Sequence, residues 1–165
     1  MTTKVALILS LFFASPKAAK FPVRMPLVTP TVDEVYLCTQ VYIGHDTPYW
    51  LTGFTPISTP GKVHHMVLAG CNTNPMQAEH KAWNCGHSEH PVMEPGLVHS
   101  TTCVDGGTGS RSLYVWSDRG EELHLPPDMG YPVGKDTMFQ YLVLQVQFYI
   151  KALITYTSWP SRCTM

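Results

Sequence analysis

Apolar and polar positions alternate in short runs along this chain, and no stretch keeps a helical period. Val35 to Ile43 is rich in β-branched and aromatic residues. Tyr49 to Ile57 is a shorter run that Pro56 ends. Val63 to Gly70 and Leu113 to Ser117 follow, and Phe139 to Ile150 is the strongest strand pattern of all. Within that last run Tyr141, Val143, Gln145 and Gln147 fall on one face, and Leu142, Leu144, Val146 and Phe148 on the other. Turn signals separate the runs: Gly44-His45-Asp46, Thr59-Pro60-Gly61, Asp105-Gly106-Gly107, Asp118-Arg119-Gly120 and Pro126-Pro127-Asp128. The pattern predicts an all-β fold, a single antiparallel β-sandwich of jelly-roll-like form. Segment 21–34, with Pro22, Pro26 and Pro30, reads as an extended leader along the domain edge. Segment 72–103 is a long loop with cysteines at both flanks, and loops of that length are usually functional or covalently pinned.

Composition agrees with this and removes some partners. Hydrophobic residues make up 44% of the 165 and charged residues only 14%, with 14 Pro and 12 Gly, which suits a loop-rich β domain. Net charge is −1, so no basic field exists to attract nucleic acid. Lys4 precedes the apolar run Val5 to Ala14, and small residues follow it. Residues 1–20 therefore read as a secretory signal peptide; ten apolar residues are too few to span a bilayer. The chain is expected in the secretory pathway, secreted or in a granule lumen.

Five cysteines, Cys38, Cys71, Cys85, Cys103 and Cys163, would meet an oxidising compartment there. The first four allow two bridges in three pairings. A zinc site from Cys71, Cys85, His87, His90 and Cys103 is the rival, but Cys85-Gly86-His87 is too tight for a standard zinc knuckle. Cys163 is the odd one, free or intermolecular.

Candidate chemistry centres on His64 and His65. Imidazole is a good copper and zinc ligand. Neighbours on a regular strand point to opposite faces, so one ion can be shared only if the strand is bulged or twisted there. Met66 reads as core filling, since thioethers commonly fill gaps. His45 and His124 read as solvent-facing. His80, His87, His90 and His99 lie in the Cys-flanked loop.

The residues around the pair carry a resemblance. The run Val63-His64-His65-Met66-Val67-Leu68-Ala69-Gly70-Cys71 resembles the first copper site of the peptidylglycine α-hydroxylating monooxygenases, copper type II ascorbate-dependent enzymes. Met25-Pro26-Leu27-Val28-Thr29-Pro30-Thr31 and Val35-Tyr36-Leu37-Cys38 match upstream. Downstream, Ala82-Trp83-Asn84-Cys85, Leu113-Tyr114-Val115-Trp116, Leu125-Pro126-Pro127, Met129 to Gly134 and Tyr141 to Val146 match in order. The pair alone would also suit the related dopamine β-monooxygenase. The resemblance covers residues 24–148 and implies one β-sandwich copper domain over 21–148, with 149–165 as an unrelated tail. It implies disulfides Cys38–Cys85 and Cys71–Cys103, and makes 86–102 an insertion. It implies His64 and His65 as ligands of an electron-transfer copper, with ascorbate as electron donor in the full enzyme. It also implies an enzyme that hydroxylates glycine-extended peptides on the way to C-terminal amidation.

Two departures follow from that comparison. The resemblance places a third histidine after Val143-Leu144-Gln145-Val146, where this chain has Gln147. A carboxamide is a hard oxygen donor and a poor copper(I) ligand, so affinity and redox cycling at this one copper site are expected to fall. The second copper domain has no counterpart in the sequence. The chain is thus expected to be inactive alone, with glycine-extended peptides as partners only where a second domain is present. The alternative is a secreted copper-binding module without catalysis.

Overall fold

A computed structural model describes residues 20–44, 47–58, 61–75, 81–86, 92–103, 110–117 and 120–149. The signal-peptide run, most of the tail with Cys163, and His45, His80, His87 and His90 lie outside these residues. The described residues contain strands and no helix. In chain order the strands are β1 (Tyr36–Tyr42), β2 (Pro48–Leu51), β3 (Gly53–Phe54), β4 (Val63–Cys71) and β5 (Trp83–Asn84). Then come β6 (Ser110–Ser117), β7 (Leu123–His124), β8 (Tyr131–Gly134) and β9 (Tyr141–Phe148).

Five of them form one antiparallel sheet in the order β5-β1-β9-β4-β6. The strongest apolar run takes the central place: every residue of β9 after Tyr141 is buried. Its alternation sorts the two faces as the sequence predicts. Leu142, Leu144, Val146 and Phe148 enter the main core with Leu37, Met66, Leu68, Leu113 and Trp116. Val143 joins a smaller cluster on the opposite face with Tyr36, Cys38, Ala69, Cys71, Trp83, Cys85 and Cys103.

The main core is closed by a second layer made of two short ribbons, β2–β8 and β3–β7. Val133 and Phe54 bring these ribbons into the core, and the Phe54 ring stacks on Tyr114 with centroids 4.9 Å apart and planes 2° apart. The expected strand over Tyr49 to Ile57 is thus two strands that pair with different partners, β8 and β7. The leader also differs from expectation. Val23 and Met25 are buried in the main core and do not merely line its edge, since both side chains are apolar and gain by leaving water.

The opposite face is covered by the Cys-flanked loop, which is pinned covalently. Disulfides join Cys38 to Cys85 and Cys71 to Cys103, with Cα–Cα distances of 5.8 and 5.7 Å. All four thiols are consumed, which removes the rival zinc site built on Cys71, Cys85, His87, His90 and Cys103. The loop is not structureless either: its Trp83-Asn84 pairs with Leu37 and Cys38 as β5. Each bridge contributes about 2–4 kcal/mol in a small domain.

Candidate metal centre

The two histidines reach one side of the sheet because β4 is irregular where they sit. Val63 pairs with Phe148 of β9, but His65 already pairs with Gln147. Two residues advance on β4 while one advances on β9, so His64 is an extra residue and both histidines oppose Gln147. That is a β-bulge, which re-aims side chains that a regular pleat would send apart. The bulge that a shared ion would require is thus present in the backbone.

The side chains converge. His64 Nδ1 stands 2.7 Å from Gln147 Oε1. His65 Nδ1 stands 3.4 Å from His64 Nδ1, with the ring centroids 5.6 Å apart and the planes at 60°. A carboxamide oxygen only accepts, so the His64 Nδ1–H donates to Gln147 and His65 turns its own Nδ1 towards the same point. Two imidazole nitrogens that share an ion at ~2.0 Å each stand roughly 3–4 Å apart. The 3.4 Å separation therefore fits joint ligation by the two Nδ1 atoms. The 2.7 Å contact is an ordinary hydrogen bond; an ion on His64 Nδ1 would take the place of that proton and break the bond, with Oε1 left beside the ion.

Neighbouring strands fix this arrangement. Tyr36, Gln147, His65 and Ser117 are successive cross-strand partners on β1, β9, β4 and β6. The Tyr36 ring lies 5.5 Å from that of His65. Tyr36 is 6% exposed, and burial, then the negative Glu34, push its phenol above the ordinary value. Glu34 itself has a positive φ of 56° at the entrance to β1, a conformation uncommon for a non-glycine residue. Gln147 is 7% exposed, whereas His64 is exposed and His65 half-buried. The site is a shallow one, open on the His64 side and walled by β9 beneath.

Other candidates are placed elsewhere. Met66 is fully buried in the main core on the opposite face, as a core filler. His124 is exposed and pairs with Glu122 at 2.9 Å. His99 points its Nε2 at the Gly86 carbonyl, 3.1 Å away, within the Cys-flanked loop. Among the described residues no three His, Cys, Asp or Glu side chains come together as an ion site; the third donor beside His64 and His65 is a carboxamide. The sequence reading missed one polar unit, Asn84 with Glu94. Asn84 Nδ2 donates to the carbonyls of Glu94 and Leu97 at 3.0 and 2.9 Å, and Glu94 N–H donates to Asn84 Oδ1 at 2.7 Å. The Glu94 carboxylate in turn accepts from Thr31 N–H and Thr31 Oγ1 at 2.7 and 2.8 Å, tying the loop to the leader. No local motif marks such a pair, because its partners lie 10 and 63 residues apart.

With bulge, donors and disulfides in place, comparison with known proteins decides the family. Residues 21–153 match the family described as "Copper type II ascorbate-dependent monooxygenase, N-terminal domain". The chain belongs to that family. Over 126 residues, 76% of this chain, it is 30% identical to peptidyl-glycine alpha-amidating monooxygenase A of Xenopus laevis, covering 12% of that protein. The same figures of 30% and 76% hold for peptidylglycine alpha-amidating monooxygenase of Rattus norvegicus, of which 11% is covered. The chain thus spans about an eighth or less of the length of the curated relatives it matches. Its two disulfides fit an oxidising compartment. No helix of the described residues is long and apolar enough to cross a membrane.

Proposed function

We propose that this chain is a copper-holding domain of the amidating-monooxygenase type, with His64 and His65 as the metal ligands. The observation that carries the reading is the bulge that turns both Nδ1 atoms to one point beside Gln147. The donor set fits copper: two imidazole nitrogens and one carboxamide oxygen suit the divalent ion well. Copper held by three imidazoles would supply a store for a single electron, drawn in this family from ascorbate; here Gln147 stands in the third place. The chain's own residues do the rest. The bulge brings the rings together, Tyr36 packs against His65, and Gln147 places its Oε1 2.7 Å from His64 Nδ1, the atom that would give up its proton to the metal.

We further infer that these 165 residues do not hydroxylate peptides by themselves. Among the described residues no three His, Cys, Asp or Glu side chains come together as a second ion site, and the match covers 12% of the amidating relative from Xenopus laevis. Glycine-extended peptides are the substrate class of the whole enzyme, and secretion is the compartment that the disulfides favour. A second reading, a secreted copper-binding module without catalysis, is favoured by the carboxamide at Gln147.

The test has two arms. Purified chain takes up one copper(II) per molecule, and His64→Ala loses that uptake while keeping both disulfides by non-reducing mass spectrometry. Incubated with copper, ascorbate and a glycine-extended peptide, the chain yields no hydroxylated or amidated product above a protein-free control. Unchanged copper uptake in His64→Ala would refute the site; product formation would refute the absence of activity.

A further inference from the structure

We infer that the site of His64, His65 and Gln147 holds a divalent cation that it does not cycle: it binds copper(II) or zinc(II) and releases copper(I). The inference rests on the copper-holding reading above and specifies which oxidation state that site accepts. The chemistry is a matter of donors. Copper(I) favours soft sulfur and imidazole, whereas a carboxamide oxygen is hard and suits divalent ions.

The geometry keeps the oxygen in place. Gln147 sits on the central strand between β1 and β4 and is 7% exposed. Its Oε1 stands 2.7 Å from His64 Nδ1, in a hydrogen bond that an ion on Nδ1 would replace, so burial on the central strand is what keeps the oxygen there. A side chain so enclosed cannot swing away to leave the two imidazoles to an ion that prefers them alone. Among the described residues no His, Cys, Asp or Glu joins the pair as a third ligand. Met66 adjoins the pair in sequence but is fully buried on the opposite face. Cys38, Cys71, Cys85 and Cys103 are all spent in disulfides. An ion at this point therefore meets two nitrogens and one oxygen in either oxidation state, and only the divalent one is well served.

The experiment compares three ions on the purified, disulfide-intact chain. Copper(II) and zinc(II) are titrated separately against a competing chelator in air. Copper(I) is titrated anaerobically against a chromogenic copper(I) chelator. Wild type is set beside His64→Ala and Gln147→His. Expected for wild type is measurable binding of both divalent ions, weakened tenfold or more in His64→Ala. Expected for copper(I) is at least a tenfold tighter hold by Gln147→His than by wild type. Copper(I) held equally by wild type and Gln147→His, with the divalent ions still lost in His64→Ala, overturns the inference and leaves the site standing. Divalent binding unaffected by His64→Ala overturns the site reading itself. If Gln147→His fails to fold, Gln147→Met supplies a soft donor of similar length and reads the same comparison.

Discussion

Asn84 and Glu94 hold each other from both sides: the Glu94 N–H donates to Asn84 Oδ1 at 2.7 Å, and Asn84 Nδ2 donates to the Glu94 carbonyl at 3.0 Å. Asn84 is 1% exposed, so its polar atoms have no water to fall back on. The pair turns a long loop into an ordered cover for one face of the sheet. Asn84→Ala orphans the buried Glu94 N–H and the Leu97 carbonyl and leaves the Glu94 carbonyl only the Leu97 N–H at 3.4 Å, and the expected cost is about 2–4 kcal/mol. Urea denaturation followed by tryptophan fluorescence measures it. A midpoint equal to wild type would show that the loop stands without the pair.

The disulfides act on the same cover from its two flanks. They close loops with sequence separations of 47 and 32 residues, and all four cysteines are buried. Removing Cys71–Cys103 by the double change to alanine is expected to lower stability by about 2–4 kcal/mol. Gln145 donates to the Cys85 carbonyl at 3.4 Å and to Thr102 Oγ1 at 3.2 Å. It thereby ties β9 to the loop beside the first bridge. Removing Cys38–Cys85, which closes the longer loop, is expected to cost at least as much as removing the second bridge. Denaturant midpoints of the two double variants rank them directly.

Gly134 ends β8 with a φ of +100°. A Cβ there would stand 3.0 Å from the Ile43 and Thr47 carbonyl oxygens, which are backbone and cannot give way cheaply. Gly134→Ala is expected to destabilise the chain by about 1–3 kcal/mol, through both strain and crowding. Gly61 has φ +72° with open space around it. Gly61→Ala is expected to cost less, since only the backbone term applies. Thermal melts of the two variants separate crowding from conformation; equal losses would remove the steric part of the argument.

Much of the sheet was legible because burial writes itself as alternation. The β9 pattern, with Leu142, Leu144, Val146 and Phe148 opposed to Gln145 and Gln147, needs nothing but a period of two. β5 and β7 are two residues each and β8 only four, too short for any period to show, and their existence depends on partners far along the chain. The break between β2 and β3 is likewise set by two different partners, not by local preference. At the site, the sequence could state that the strand must bulge for His64 and His65 to meet, but not where the extra residue would go. That follows from the register of β4 on β9, which pairs Val63 with Phe148 and His65 with Gln147. Gln147 as the residue facing the pair came from resemblance and face-counting together. The hydrogen bond to His64 is a property of three dimensions alone.

Alkaline pH should loosen the fold through its buried tyrosines. Tyr114 donates its hydroxyl to the Glu121 carbonyl at 2.8 Å while its ring lies on Phe54. Burial, and then the negative charge of Glu122, raise its phenol above the ordinary value, and Tyr36 is raised in the same direction by burial and Glu34. A raised value in the folded state means that the folded chain keeps a proton which the unfolded chain gives up at about pH 10. The associated stability is fully present below that pH. It falls as pH climbs through the raised folded values, because the unfolded state is then the one that binds fewer protons. Tyr114→Phe removes one of the two groups, so its unfolding free energy should decline less steeply between about pH 9 and 11 than that of wild type. At neutral pH the same variant should lose about 1 kcal/mol for the missing hydrogen bond. Urea titrations at both ends of the alkaline window give the two slopes. Parallel slopes for wild type and variant would show that Tyr114 ionises alike in the folded and unfolded chain.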